Sequence, residues 1–367
     1  MSAETSITGG RTGIPPAKRA PIRVMIVDDS LTVRAVLSRI IAPERDMTIV
    51  GKTGSAENAL AALVQAPADV VLLDLEMPGM GGLHALPKIL AARSGTQVLV
   101  VSSLTEAGAE HTLAALSMGA ADTMLKPRSG EFDQNYRTAL LQRIRALGRR
   151  SRTSTATTPP DAPPLRARNR WGGPLEVIGI GASTGGIHAL CMLLRNLPRY
   201  VDAPILVTQH LPGTFMQVFA GQLELASGRK AVVIDRATPI ESGRIHIAPG
   251  DGHLMLRRKG DVLLADRAAF RAPSGCMPSV DPMFESMAET VAGAALGVVL
   301  SGMGRDGARG AERLVDAGGN VIAQDEASSS VWGMPRAIAQ AGLASAVLPP
   351  EKIALRIALH AGEAAWK

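Results

Sequence analysis

The stretch Arg23-Val24-Met25-Ile26-Val27-Asp28-Asp29-Ser30 runs from an apolar, β-branched segment straight into two carboxylates and a serine. A short apolar run of this kind reads as a strand buried on both faces, and Ser30 is a candidate N-cap for the helical pattern over residues 31–41. The unit recurs. Further strands are expected over residues 48–52, 70–74, 97–101 and 123–125, with helical patterns between them, such as residues 56–63 after the candidate N-cap Ser55. Strands alternating with helices predict βαβ crossovers and a parallel sheet.

Five such units predict an α/β domain of flavodoxin-like type over residues 21–147. Over residues 148–173 the pattern gives way to Ser/Thr, Pro and Arg, including Thr157-Thr158-Pro159-Pro160 and Pro163-Pro164. Burial cannot offset the entropy of ordering such a segment, so a flexible, partly extended linker is expected. Periodicity returns at Leu175 with a strand over residues 176–180, a glycine turn and a helix over about 184–196. Strand patterns follow at residues 205–208, 231–234, 245–248, 254–257, 261–264, 295–300 and 320–323. Residues 174–367 are therefore expected to form a second, doubly wound α/β domain of hydrolase type, with a mostly parallel sheet and a hairpin-like insertion. Residues 1–20, rich in Gly, Pro and Ser/Thr, read as a disordered leader.

A chain of 367 residues is long enough for two such cores. Its apolar content of 46% is ordinary for a globular protein, and no run is long enough to span a bilayer. The leader lacks the apolar centre of a secretory signal, and two distant cysteines, Cys191 and Cys276, make no disulfide framework. A cytoplasmic, monomeric protein without membrane insertion is expected. The net charge of +6 raises the question of nucleic acid, but the basic residues gather mainly at 143–170, where a solvated tether explains them.

Chemistry concentrates at the expected strand ends. Asp28 and Asp29 end the first strand, Asp74 the third, Ser102 the fourth and Lys126 the fifth. In a parallel sheet these ends converge on one rim. Carboxylates crowded there repel one another and suit a hard divalent cation with oxygen ligands, Mg²⁺ by its geometry. Asp74 can attack phosphorus while Lys126 and the Ser102 hydroxyl hold phosphoryl oxygens. Any one acid could merely cap an element; five polar groups at matching strand ends are not explained that way.

In the second half, Gly179-Ile180-Gly181-Ala182-Ser183-Thr184-Gly185-Gly186 joins a strand to a helix and exposes Ser183 at a helix N-terminus, where free amides favour an oxyanion. The same glycine spacing fits a nicotinamide dinucleotide loop. Against that, the next strand ends in Gln209-His210 rather than in an acid for ribose, and there is no Tyr-x-x-x-Lys pair. His210 is placed to take the serine proton as general base. Asp306, in Gly302-Met303-Gly304-Arg305-Asp306-Gly307, can orient the imidazole, and the Met303 amide is a candidate oxyanion donor. Taken singly, His210 could be a core histidine and Asp306 a helix cap. His188, His246 and His253 read as structural, Cys191 as core, and Cys276 is not supported as a nucleophile.

Two resemblances join these readings. Val27-Asp28-Asp29-Ser30, Leu73-Asp74-Leu75-Glu76-Met77-Pro78-Gly79 and Lys126-Pro127 resemble the receiver domain of two-component response regulators. That resemblance implies phosphorylation at Asp74, Mg²⁺ on Asp29, Asp74 and the Glu76 carbonyl with Asp28 acting through water, and Ser102 as switch hydroxyl. One position departs: Thr123 stands where receivers often carry an aromatic switch residue. Gly181-Ala182-Ser183-Thr184-Gly185-Gly186, Gln209-His210-Leu211-Pro212, Ala248-Pro249-Gly250, Pro278-Ser279-Val280-Asp281-Pro282-Met283-Phe284 and Gly302-Met303-Gly304-Arg305-Asp306-Gly307 resemble, in order, the chemotaxis methylesterase domain. This implies Ser183 as nucleophile, His210 as base and Asp306 as orienting acid. The implied reactions are hydrolysis of glutamate methyl esters on chemoreceptors and deamidation of receptor glutamines, with a chemotaxis histidine kinase as phosphoryl donor and no cofactor in the hydrolase half. Two rivals remain: a regulator whose second domain only binds, and an esterase for another methylated protein.

Overall fold

The structure is a computed structural model that describes residues 20–102, 106–126, 133–153 and 175–365. The expected leader and most of the expected linker lie outside these residues. The first half runs β1 (Ile22–Val27), α1 (Leu31–Ile41), β2 (Met47–Thr53), α2 (Ala56–Gln65), β3 (Val70–Leu73), α3 (Gly81–Ala92), β4 (Gln97–Ser102), α4 (Glu106–Ser117), β5 (Asp122–Leu125) and α5 (Gln134–Thr153). Ser30 and Ser55 cap α1 and α2, each hydroxyl accepting from the amide three residues on, at 3.3 Å from Val33 and 3.3 Å from Asn58. The five strands pair in parallel in the order β2-β1-β3-β4-β5, the doubly wound arrangement that places a site at the strand C-termini. Helix α5 continues past Leu147 into the segment expected to be linker. Gly148 lies inside it, at a place where Ile22 packs so close that a Cβ would stand 2.5 Å from its Cγ2.

The second half runs β6 (Val177–Ala182), α6 (Gly186–Asn196), β7 (Ile205–Gln209), α7 (Met216–Ser227), β8 (Ala231–Val233), β9 (Thr238–Pro239), β10 (Ile245–Ile247), β11 (His253–Lys259), β12 (Val262–Ala268), α8 (Val280–Val291), β13 (Ala295–Val299), α9 (Ala308–Asp316), β14 (Asn320–Gln324), α10 (Met334–Gln340), β15 (Ala346–Leu348) and α11 (Pro350–Ala365). Seven strands form a sheet in the order β15-β14-β13-β6-β7-β10-β8, with every pairing parallel. Among the described residues, antiparallel pairing is confined to the small β11-β12-β9 sheet, the expected insertion. The short strands β9 and β15 have too little sequence to carry a periodic signal. Strand order reverses around β6, so the C-terminal ends of β13, β6 and β7 border the natural crevice of the sheet.

The two halves are in contact. Leu113 and Leu116 of α4 and Ile187 and Leu190 of α6 belong to one continuous buried apolar cluster. Packing of α8 on the sheet depends on glycine in β6: a Cβ at Gly181 would stand 2.4 Å from Val280 Cγ1, and one at Gly179 2.5 Å from Met287 Sδ. Gly181→Val is therefore expected to overpack this interface and lower stability by about 1–3 kcal/mol. A denaturant midpoint equal to that of the unsubstituted protein would contradict this account of the packing.

Candidate functional site

Ser183 sits where β6 ends and α6 has yet to begin. Its amide donates to the Ser301 carbonyl at 3.0 Å, and its own carbonyl accepts from Gly186 N at 2.8 Å and Gln209 Nε2 at 3.0 Å. Gly185, at the start of α6, adopts φ 75°, and a Cβ there would stand 2.4 Å from Ser330 Cβ, so a non-glycine residue is excluded twice over. The loop after β13 passes as closely, since a Cβ on Gly302 would be 2.9 Å from Ser183 Cβ. Met303 follows Gly302 on that loop with its side chain exposed.

His210 follows β7, its amide tied to the Ala182 carbonyl at 3.1 Å. Its Nε2 lies 2.7 Å from Asp306 Oδ2. Asp306 is buried and well held: Ser279 Oγ donates to Oδ1 at 2.7 Å and the Val280 amide, first of α8, donates to Oδ2 at 2.8 Å. Ser279 occupies the N-cap position of α8 but spends its hydroxyl on Asp306, so the carboxylate itself receives the helix's first amide. Burial alone pushes the Asp306 carboxyl up; the His210 bond, the Val280 amide and the Ser279 hydroxyl outweigh it and hold the group below the ordinary carboxylate range. For His210, burial pulls the imidazole pKa down, while Asp306 and the nearby Cys276 thiol pull it up, with a net rise to about 9.

Ser183 and His210 line one cavity of about 270 Å³ with Gln209, Leu211 and Phe215. Among the described residues, no hydrogen bond joins the Ser183 hydroxyl to the imidazole, an arrangement common before substrate arrives. Residues of the first half line it as well, among them Asp122, Thr123, Tyr136 and Arg143. Thr184 Oγ1 donates to Asp122 Oδ2 at 2.7 Å, the Gly185 amide to the Ala121 carbonyl at 2.5 Å, and His188 Nδ1 lies 2.9 Å from the Ser117 carbonyl. His188, read from sequence as packing, thus bridges the halves.

At the rim of the first sheet, oxygens of Asp28, Asp29 and Asp74 lie within 4.8 Å of one another. Lys126 Nζ stands 2.6 Å from Asp74 Oδ2 and 3.0 Å from Asp28 Oδ2. The Glu76 amide donates to Asp74 Oδ1 at 3.2 Å. Burial, aided by the Asp28 charge, pushes the Asp74 carboxyl above its ordinary value despite Lys126. Ser102 Oγ is buried beside this rim with no partner among the described residues. An oxygen-only donor set with excess negative charge fits a hard cation, and an orphaned hydroxyl fits an acceptor not yet present. Pro127 of the expected Lys126-Pro127 motif lies outside the described residues.

Sequence reasoning overlooked the supports of Asp306. The Ser279 amide donates to His253 Nδ1 at 3.0 Å, and His253 Nε2 lies 2.9 Å from the Phe270 carbonyl. His253 therefore fixes the residue that fixes Asp306. The one available signal was the Pro278-Ser279-Val280-Asp281 motif, which carries no chemistry until the fold brings it to the carboxylate.

A family model described as CheB methylesterase matches residues 178–357, and one described as response regulator receiver domain matches residues 24–134. The protein-glutamate methylesterase/protein-glutamine glutaminase 1 of Paramagnetospirillum magneticum is 41% identical, the match covering 91% of this chain and 94% of that one. Its counterpart numbered 2 in Caulobacter vibrioides is 42% identical over 93% of this chain and 99% of the other. The crystal structure of the Thermotoga maritima CheB methylesterase catalytic domain is 34% identical, with a TM-score of 0.49, covering 50% of this chain and 97% of that one. Among the described residues no helix is long and apolar enough to cross a membrane. Over nearly its whole length, then, the chain belongs to the protein-glutamate methylesterase/protein-glutamine glutaminase family, in which a receiver domain precedes a CheB methylesterase domain.

Proposed function

We propose that this chain hydrolyses glutamate methyl esters on chemoreceptors, releasing methanol, and deamidates receptor glutamines, releasing ammonia, under control of phosphorylation at Asp74. The observation that carries the hydrolase half is the His210–Asp306 pair at 2.7 Å, sharing the crevice of three adjacent parallel strands with Ser183. His210 accepts the Ser183 proton as Oγ attacks the ester or amide carbonyl. Asp306 holds the ring and stabilises the imidazolium that forms. The carbonyl oxygen becomes an oxyanion facing the amides at the start of α6 and that of Met303. His210 then returns the proton to the departing methanol or ammonia, and the acyl-serine is hydrolysed by water activated in the same way. Ester and amide pass through alike tetrahedral intermediates, so one site serves both.

In the receiver half, Asp74 attacks phosphorus donated by a chemotaxis histidine kinase, with Lys126 and Ser102 binding the phosphoryl oxygens. Asp28, Asp29, Asp74 and the Glu76 carbonyl would hold Mg²⁺, which when bound neutralises charge on the incoming group. The contacts of Thr184, Gly185 and His188 with receiver residues beside the Ser183 cavity support a resting state in which the receiver covers the crevice. Phosphorylation draws Lys126 and Ser102 onto the phosphoryl group; Lys126 follows β5, whose other end carries Ala121 and Asp122, and the shift weakens that cover.

Methanol release from methylated receptor membranes is expected to fall roughly 10³-fold or more in Ser183→Ala, and to rise with a small-molecule phosphoryl donor only while Asp74 is intact. Undiminished release from Ser183→Ala would leave a binding regulator as the better account. Because the base must be neutral to act, kcat/KM is expected to climb with pH through an apparent pKa above the ordinary imidazole value of 6.5, and that limb to move down in Asp306→Asn. A limb at or below the ordinary value would remove His210 from the role of base. Asp122→Ala is expected to raise activity without a donor by releasing Thr184; no rise would assign the cover to other contacts.

A further inference from the structure

The mechanism leaves one strong ligand beside His210 unused. Cys276 is a free, half-buried thiol in the loop between β12 and α8. Its Sγ, a ring nitrogen of His210 and a carboxylate oxygen of Asp306 all lie within 4.8 Å of one another. The loop is tied to the same anchor as the carboxylate: the Cys276 amide donates to Ser274 Oγ at 3.3 Å, and Ser274 Oγ lies 3.1 Å from Ser279 Oγ, which holds Asp306.

We propose that His210, Cys276 and Asp306 bind a zinc ion, and that its binding switches the hydrolase off. Thiolate, imidazole and carboxylate form a mixed donor set of borderline softness that suits Zn²⁺ and disfavours Mg²⁺. The acidic rim around Asp74 has the opposite chemistry, oxygen donors alone, so the two halves select different cations. Ordinary zinc bond lengths put tetrahedral ligand atoms roughly 3.2–3.7 Å apart, so the His210–Asp306 pair, now at 2.7 Å, opens by roughly half an ångström or more while the thiol closes by about 1.6 Å at most. The thiol arm can supply that movement, since an added Cβ at neighbouring Gly275 meets nothing.

The Sγ–H bond breaks and the proton leaves to solvent, the imidazole gives its lone pair to the metal after losing any proton it carries, and Asp306 Oδ2 supplies the third bond. Water takes the open fourth position. Asp306 keeps its Ser279 and Val280 donors, the kind of outer support that orients a ligating carboxylate. A metal-bound imidazole cannot accept the Ser183 proton. This silencing rests on His210 being the base, whereas the site itself does not.

The test uses the full chain with its receiver saturated with Mg²⁺. Cobalt(II), a spectroscopic stand-in for zinc, is expected to give a thiolate-to-metal charge-transfer band that saturates at one equivalent and is displaced by zinc. The band is expected in Ser183→Ala and Cys191→Ser, and to be lost in both Cys276→Ser and Cys276→Ala. Persistence in Ser183→Ala reports the site independently of hydrolysis. In parallel, the zinc concentration that halves methanol release, each variant compared with its own metal-free rate, is expected to rise about tenfold or more in Cys276→Ser. Absence of the thiolate band, or equal zinc inhibition with and without Cys276, overturns the proposal.

Discussion

The buried charge of Asp306 is the constraint around which the second domain is assembled. A carboxylate this deep, with its side chain 2% exposed, is tolerable only if its lone pairs are met, and stripping it of its donors would cost about 3–5 kcal/mol. The donors come from two distant parts of the chain: His210 after β7, and the entry to α8, where Ser279 and the helix's first amide follow one another. Satisfying one anion therefore fixes the position of a helix, the path of a long loop and the orientation of an imidazole. His253 extends the arrangement by holding the Ser279 amide, so a residue remote from Ser183 still bears on the geometry at the crevice.

The two halves hold carboxylates in opposite conditions. Asp306 is surrounded by donors, and its proton affinity falls. Asp74 shares its rim with Asp28 and has one lysine between them, and its proton affinity rises. The first is electrostatically complete and serves as a fixed part. The second is incomplete, and it gains from any added positive charge. A parallel sheet supplies both situations with the same device, strand C-termini converging on a rim, and what differs is only which residues follow each strand.

Much of this was legible in the sequence because the carriers were local. Ser30 and Ser55 announce their helices, and the apolar runs ending in Asp28, Asp74 and Lys126 declare both the strand and the rim it feeds. The same holds for Ser183 in its glycine turn and for His210 after β7. What could not be read were relations between distant positions. Nothing near Ser279 or His253 indicates that they support a carboxylate more than twenty residues away. Nothing near His188 or Thr184 indicates a partner in the other half. The reach of α5 past Gly148 was hidden for a related reason: a glycine that looks like a terminator is there because Ile22 leaves no room for a side chain.

Among the described residues, the hydrogen bonds from hydrolase to receiver beside the crevice end largely on main-chain oxygens, the carbonyls of Ser117 and Ala121, with Asp122 as a side-chain acceptor, next to the apolar contact of α4 with α6. A carbonyl looks the same whatever residue carries it, so these bonds survive drift in the receiver sequence. They also cannot tell one such receiver from another. Where a cell keeps several of these chains, fidelity of pairing then rests on the side-chain contacts of α4 and Asp122 and on covalent connection, which gives each hydrolase its own receiver at a local concentration no free rival can match.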